Sequence, residues 1–166
     1  MENSEINELF KQGRYKEVID YFSESSVRTP DEYNLLALSY YSLGLFKEAR
    51  NALKNGLSIF PDDKDILFNL IEILYEQAEY EEAEKYLAMA LKIEPENYVY
   101  YDILATILLR QEQNEEALSA ATNALKFAPA DVSRQLVEEY SDIWQEFKSE
   151  SKRFSNFRRA RNILLV

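Results

Sequence analysis

Residues 64–97 read KDILFNLIEILYEQAEYEEAEKYLAMALKIEPEN, and the rest of the chain reads as earlier and later copies of them. Pro61, Pro95 and Pro129 stand 34 residues apart, each a few residues after an apolar helical pattern runs out. A fixed period of that size marks an array of helix pairs, since each unit can bury its apolar face only against its neighbours. Inside the quoted unit, Leu67, Leu70, Ile71 and Leu74 fall at helical spacing and form one stripe. Ala78, Tyr80, Ala83, Leu87, Ala90 and Leu91 supply the returning helix.

Working outward, residues 30–63 open on Thr29-Pro30-Asp31-Glu32, a cap candidate followed by Pro in the first turn and acids near the positive helix end. Tyr33, Leu36, Ala37 and Tyr40 form the first stripe, and Phe46, Ala49, Leu53, Gly56 and Leu57 the second. Residues 98–131 repeat the scheme with Tyr101, Leu104, Ala105 and Leu108, then Ala117, Ala121, Ala124 and Leu125. Residues 1–29 hold a shorter copy, with Gly13 only 31 residues before Gly44. The Ala column at Ala49, Ala83 and Ala117 has a physical reason: helices approach closely where side chains are small. Asp131 can cap a further helix over residues 132–151, with Val132, Leu136, Val137, Tyr140, Ile143, Trp144 and Phe147 on one face. Its expected role is to seal the open end of the array.

These recurring positions resemble the tetratricopeptide repeat, whose 34-residue pattern of aromatic, small and Pro slots the chain follows over residues 1–131. The resemblance implies an all-α, right-handed α-α superhelix, a solenoid of antiparallel helix pairs. It also implies a protein–protein interaction scaffold or adaptor that holds a peptide in its concave groove. There are departures. Tyr33, Leu67 and Tyr101 stand where the family prefers Trp, and Ile71 fills a small-residue slot. Glu112 and Asn114 replace the small and aromatic residues of the last inter-helix turn, so the fourth pair is expected to be the loosest inside its own hairpin.

Composition narrows the function. The chain has no Cys and no His, which removes thiolate chemistry, the commonest metal ligand and the commonest general base. With no phosphate loop and no nucleophile–base pair, the expectation is no enzyme, no metal and no cofactor. Asp62-Asp63-Lys64-Asp65 lacks the Gly and distal Glu of a calcium loop and reads as the acidic start of a helix. A net charge of -11 speaks against nucleic acid, which calls for a basic face. That charge is uneven: residues 148–166 carry six basic side chains and one acid, a net of +5, which leaves -16 on residues 1–147. The apolar runs are far shorter than the ~20 residues of a membrane span, and the N-terminus lacks a secretory pattern. A cytoplasmic location is expected.

If the first helix of each pair lines the groove, as the resemblance implies, the register selects the partner-binding candidates. They are Asn7, Asn34, Leu38, Tyr41, Phe68, Asn69, Glu72, Tyr75, Asp102, Ile103 and Thr106. Aromatic and apolar groups interleaved with amides and acids suit a peptide, with rings as anchors and amides for its backbone. The alternative is that these residues pack across neighbouring repeats or against the terminal helix. The acidic chaperone tail bound by some members of the family does not fit. Asn7 matches one position of that clamp, but Leu35, Asp65 and Asn69 occupy others, and Asp65 and Asp102 would repel a carboxylate. A ligand with basic or apolar side chains is expected instead.

Two alternatives concern the basic segment 152–166. It could enter the acidic groove of a second copy, making the chain a self-assembling homo-oligomer. Or Ile163-Leu164-Leu165-Val166 could start a strand of a further domain, making the chain a module of a larger enzyme such as a bacterial glycosyltransferase.

Overall fold

The structure, a computed structural model, describes residues 3–24 and 29–146. Among the described residues the chain forms nine α-helices and no strand, and it divides into two compact units, Met1–Ile93 and Glu94–Val166.

The first unit holds three helix pairs: α1 (Asn3–Lys11) with α2 (Tyr15–Glu24), α3 (Pro30–Ser42) with α4 (Phe46–Ile59), and α5 (Lys64–Glu76) with α6 (Tyr80–Ile93). Helix α3 starts where its sequence directs. The Glu32 N–H donates to Thr29 Oγ1 at 3.3 Å, and the Thr29 N–H donates to Glu32 Oε2 at 2.8 Å, a reciprocal capping box. Helix α5 starts on Asp63, whose Oδ1 accepts the Ile66 N–H at 2.9 Å. The acidic run at 62–65 is thus a helix start, as its chemistry suggested.

Each pair closes in the same way. At Gly44, φ is +74°, its N–H donates to the Tyr41 carbonyl at 2.9 Å, and the Leu45 N–H reaches back to Tyr40 at 2.9 Å. This double bond to the last turn satisfies helix carbonyls that would otherwise lack partners. Gly13 repeats it at φ +75°, and Ala78 repeats it at φ +57° although it carries a Cβ. The core between the paired helices contains Ala49, Leu53 and Leu57 from α4, Leu67, Leu70 and Leu74 from α5, and Ala83, Leu87 and Ala90 from α6, all buried. Gly56 sits where α4 meets both α3 and α5. A Cβ there would lie 3.0 Å from Ile66 Cδ1 and 3.0 Å from Tyr33 Cγ, so the absent side chain lets the helices approach.

The second unit holds α7 (Tyr98–Arg110), α8 (Asn114–Phe127) and α9 (Ala130–Glu146). Asn97 caps α7 by accepting the Val99 N–H at 3.1 Å. Ala105, Leu108 and Leu109 of α7 form one buried cluster with Ala117, Ala121, Ala124 and Leu125 of α8, and with Leu136 and Tyr140 of α9. The expected looseness of this hairpin is not found. Glu112 takes φ +60°, its N–H donates to Leu109 at 3.1 Å, and the Gln113 N–H donates to Leu108 at 2.9 Å. The turn is therefore the same as the others, because its geometry depends on backbone hydrogen bonds rather than on the side chains exchanged. Helix α9 is anchored at its start by Ser133, whose hydroxyl donates to the Ala128 carbonyl at 3.1 Å. The side chains of residues 142–146, Trp144 included, and everything from Phe147 onward lie outside the described residues. So do residues 25–28 in the connection between the first two pairs.

A left-handed conformation costs a non-Gly residue about 1–2 kcal/mol, and Gly returns about 0.4–1 kcal/mol of that through unfolded-state entropy. Ala78→Gly and Glu112→Gly are each expected to stabilise the chain by about 0.5–1 kcal/mol. Gly44→Ala, where an added Cβ meets nothing within 4 Å, should lose a similar amount. Urea unfolding followed by helical circular dichroism measures all three.

Candidate functional site

The face shared by α3 and α5 carries most of the candidate residues. Because α3 and α5 start 34 residues apart in the same register, equivalent positions lie side by side. Asn69 Nδ2 donates to Asn34 Oδ1 at 2.8 Å, joining the two helices through their amides. The Tyr41 hydroxyl donates to the Glu76 carboxylate, a second link between them. Between these links lies a cleft of about 140 Å³ lined by Leu38, Tyr41, Phe68, Asn69, Glu72, Ile73 and Glu76. Leu38, Tyr41, Phe68, Asn69 and Glu72 are each half-buried. They are neither spent in the core nor fully solvated.

The electrostatics of the cleft are acidic. Burial pushes the Glu72 carboxyl above the usual range, and the neighbouring Glu76 charge adds to the effect. The Tyr41 phenol is raised chiefly by its hydrogen bond to Glu76, which favours the neutral hydroxyl. The Tyr41 ring also meets Phe46 edge-on, with centroids 5.4 Å apart. Two basic residues of α4 are paired with acids of the next hairpin: Arg50 with Glu79 at 3.1 Å and Lys54 with Glu82 at 2.6 Å.

The remaining candidates are placed differently. Tyr75 does not line the cleft. Its ring pairs with Tyr80 at 6.4 Å, the position equivalent to the Tyr41–Phe46 contact, and it braces its own hairpin turn. Asn7 is exposed and borders a second cleft of about 160 Å³, lined by Ile6, Asn7, Phe22, Asp31, Glu32 and Leu35. In the second unit, Asp102 Oδ1 accepts the Tyr140 hydroxyl at 2.6 Å, so α9 engages it directly. Burial raises the Asp102 carboxyl, the Tyr140 bond opposes that shift, and the Glu139 charge adds to it. The Thr106 hydroxyl donates to the Asp102 carbonyl at 3.1 Å, a bond within its own helix. Ile103 corrects the expectation of an exposed column: it is 7% exposed. An apolar β-branched side chain is withdrawn from water wherever packing permits.

The sequence reading missed Ile73 and Glu76, and it placed Tyr140 on the sealing face of the last helix without its bond to Asp102. The signal for Glu76 was present, since it stands 35 residues after Tyr41, the same offset that joins Asn34 to Asn69. Nothing in the period announces the Tyr140–Asp102 bond, because α9 departs from it. Among the described residues no group of His, Cys, Asp and Glu is arranged to hold a metal ion, and no helix is long and apolar enough to cross a membrane.

Comparison with known proteins agrees with this architecture. Residues 40–107 match the family model described as tetratricopeptide repeat. No curated protein matches the chain. Among solved structures, "MamA MSR-1 C2" is 18% identical over 97% of this chain and 92% of its own, with a TM-score of 0.71. MamA from Desulfovibrio magneticus RS-1 is 16% identical over 89% of this chain and 94% of its own, with a TM-score of 0.69. YrrB, described as a TPR protein with an unusual peptide-binding site, is 18% identical over 82% of this chain and 71% of its own, at 0.69. These likenesses establish the all-α fold of stacked helix pairs.

The Glu72 shift has a testable consequence. A carboxyl raised in the folded state binds its proton more tightly there than in the unfolded chain, so stability falls as pH rises through the folded value. Glu72→Gln removes that cost. It should raise the melting temperature at neutral pH, and the gain should vanish below about pH 4, where the carboxyl is protonated in both states. Thermal melts across this range provide the measurement.

Proposed function

We propose that this chain, which is a tetratricopeptide repeat protein, is an interaction scaffold or adaptor that holds a peptide or partner segment on the α3/α5 face. The observation that carries this reading is the cleft at Leu38, Tyr41 and Phe68, where half-buried apolar groups sit beside amides and carboxylates. Folding has not withdrawn these rings into the core, and a bound segment can complete their burial. Asn34 and Asn69 use one donor and one acceptor on each other. The Asn69 carbonyl and the Asn34 amino group retain capacity for the backbone of an extended peptide. The peptide-binding site named for YrrB, a protein of the same fold, supports the reading.

The mechanism is association with a preformed surface. Rings anchor side chains, amides meet backbone groups, and the paired helices hold both in place so that little order must be created on binding. The test is selection from a random peptide library on the immobilised chain, followed by affinity measurement. Phe68→Ala should weaken the selected peptides at least about tenfold, equivalent to roughly 1.4 kcal/mol, while leaving the helical circular dichroism unchanged. Peptides that bind Phe68→Ala undiminished, or a library that yields none, would remove this face from the proposal.

A second reading is favoured by charge alone. The net of +5 on residues 148–166 against -16 on the remainder is complementary between copies of the chain. If self-association uses this asymmetry, deleting residues 152–166 shifts an oligomer to monomer in sedimentation at low salt. A full-length chain that sediments as a monomer at high concentration excludes it.

A further inference from the structure

The α3/α5 cleft contains two carboxylates and no cation. Among the described residues the Glu72 carboxylate makes no hydrogen bond and no ion pair, and the charge that acts on it is that of Glu76, one helical turn further along α5. No described Lys or Arg lines the cleft, and Arg50 and Lys54 of α4 pair with Glu79 and Glu82. A half-buried carboxylate next to a like charge is a cost to folding, and such costs persist at binding sites where a partner relieves them. The walls are the rings of Tyr41 and Phe68 with the Leu38 side chain. At about 140 Å³ the space equals roughly five waters of liquid. A cleft of that size suits one extended side chain.

These features specify the chemistry of the occupant. An apolar stem matches Leu38 and Phe68, a planar cation matches aromatic faces, and a positive group answers Glu72. Arginine satisfies all three, and its fork of donors can engage Glu72 and Glu76 together, which an ammonium can do only as a point charge. The charge of -16 on residues 1–147 would draw a basic segment toward the surface before contact. We propose that the cleft is an arginine subsite: it takes one guanidinium side chain from a basic segment of a partner protein, with Glu72 as the paired carboxylate and Tyr41 and Phe68 as its walls. This rests on the interaction-scaffold reading and names the ligand chemistry of the same face.

The test titrates the full chain with three blocked tripeptides, Ala-Arg-Ala, Ala-Lys-Ala and Ala-Leu-Ala, following the NMR signals of Tyr41 and Phe68. The Arg peptide should saturate these shifts at least about tenfold more tightly than the Leu peptide and more tightly than the Lys peptide. Glu72→Gln should lose at least about tenfold. That variant is expected to be more stable than the parent, so its loss of binding cannot be attributed to unfolding. High salt should weaken the Arg peptide and leave the Leu peptide little changed. Equal binding of Arg and Leu peptides, full affinity in Glu72→Gln, or no saturable shift overturns the proposal. Binding that appears only when residues 152–166 are deleted also overturns it, by naming the chain's own basic segment as the occupant. Library peptides that depend on Phe68 while Glu72→Gln leaves them unaffected would sink the arginine subsite and leave the scaffold reading standing.

Discussion

A helix pair can repeat only if its turn consumes the same number of residues each time and leaves no carbonyl stranded. At Gly13, Gly44, Ala78 and Glu112 the chain meets both demands with one device, a left-handed residue whose N–H and whose successor's N–H close back onto the preceding helix. The last three lie 34 residues apart, and within the first unit α3 and α5 start in the same register. The device survives the loss of Gly. Ala78 and Glu112 adopt the strained backbone because packing of the helices they join outweighs a local cost of about 1–2 kcal/mol.

From that register the interior follows. Ala49, Ala83 and Ala117 fall on the inner faces of returning helices and are fully buried. Gly56 permits a close approach, with Tyr33 and Ile66 filling the space its side chain would take. The same register sets the functional face. Equivalent positions of α3 and α5 are neighbours, so Asn34 meets Asn69 and Tyr41 meets Glu76. The cleft between those links is a by-product of repetition that its particular residues have made acidic and aromatic.

Much of this was legible beforehand. The period, the helix starts at Thr29 and Asp63, and the buried stripes followed from spacing and capping chemistry, which act over a few residues. Leu38, Tyr41, Phe68, Asn69 and Glu72, which line the cleft, were selected by the register together with the family resemblance. Other expectations met arrangements that spacing does not encode. Tyr75 shares the helix face of its neighbours but turns to Tyr80. Ile103 lies in an exposed column by register and is withdrawn from water. The last hairpin looked weakened by Glu112 and Asn114, yet its backbone bonds are intact.

The sequence by itself determined the repeat and the helix starts at Thr29 and in the acidic run at 62–65, because these depend on periodicity and on local hydrogen bonding, whereas α9 starts at Ala130, ahead of the Asp131 cap expected of it. Tertiary structure alone decided which candidate residues act together. Whether Glu72 finds a cation, whether Tyr41 donates to Glu76, and whether Asp102 is claimed by Tyr140 are outcomes of distances between helices. A linear period orders residues along one helix. It does not measure the gap to the next, and the chemistry of this surface lies in that gap.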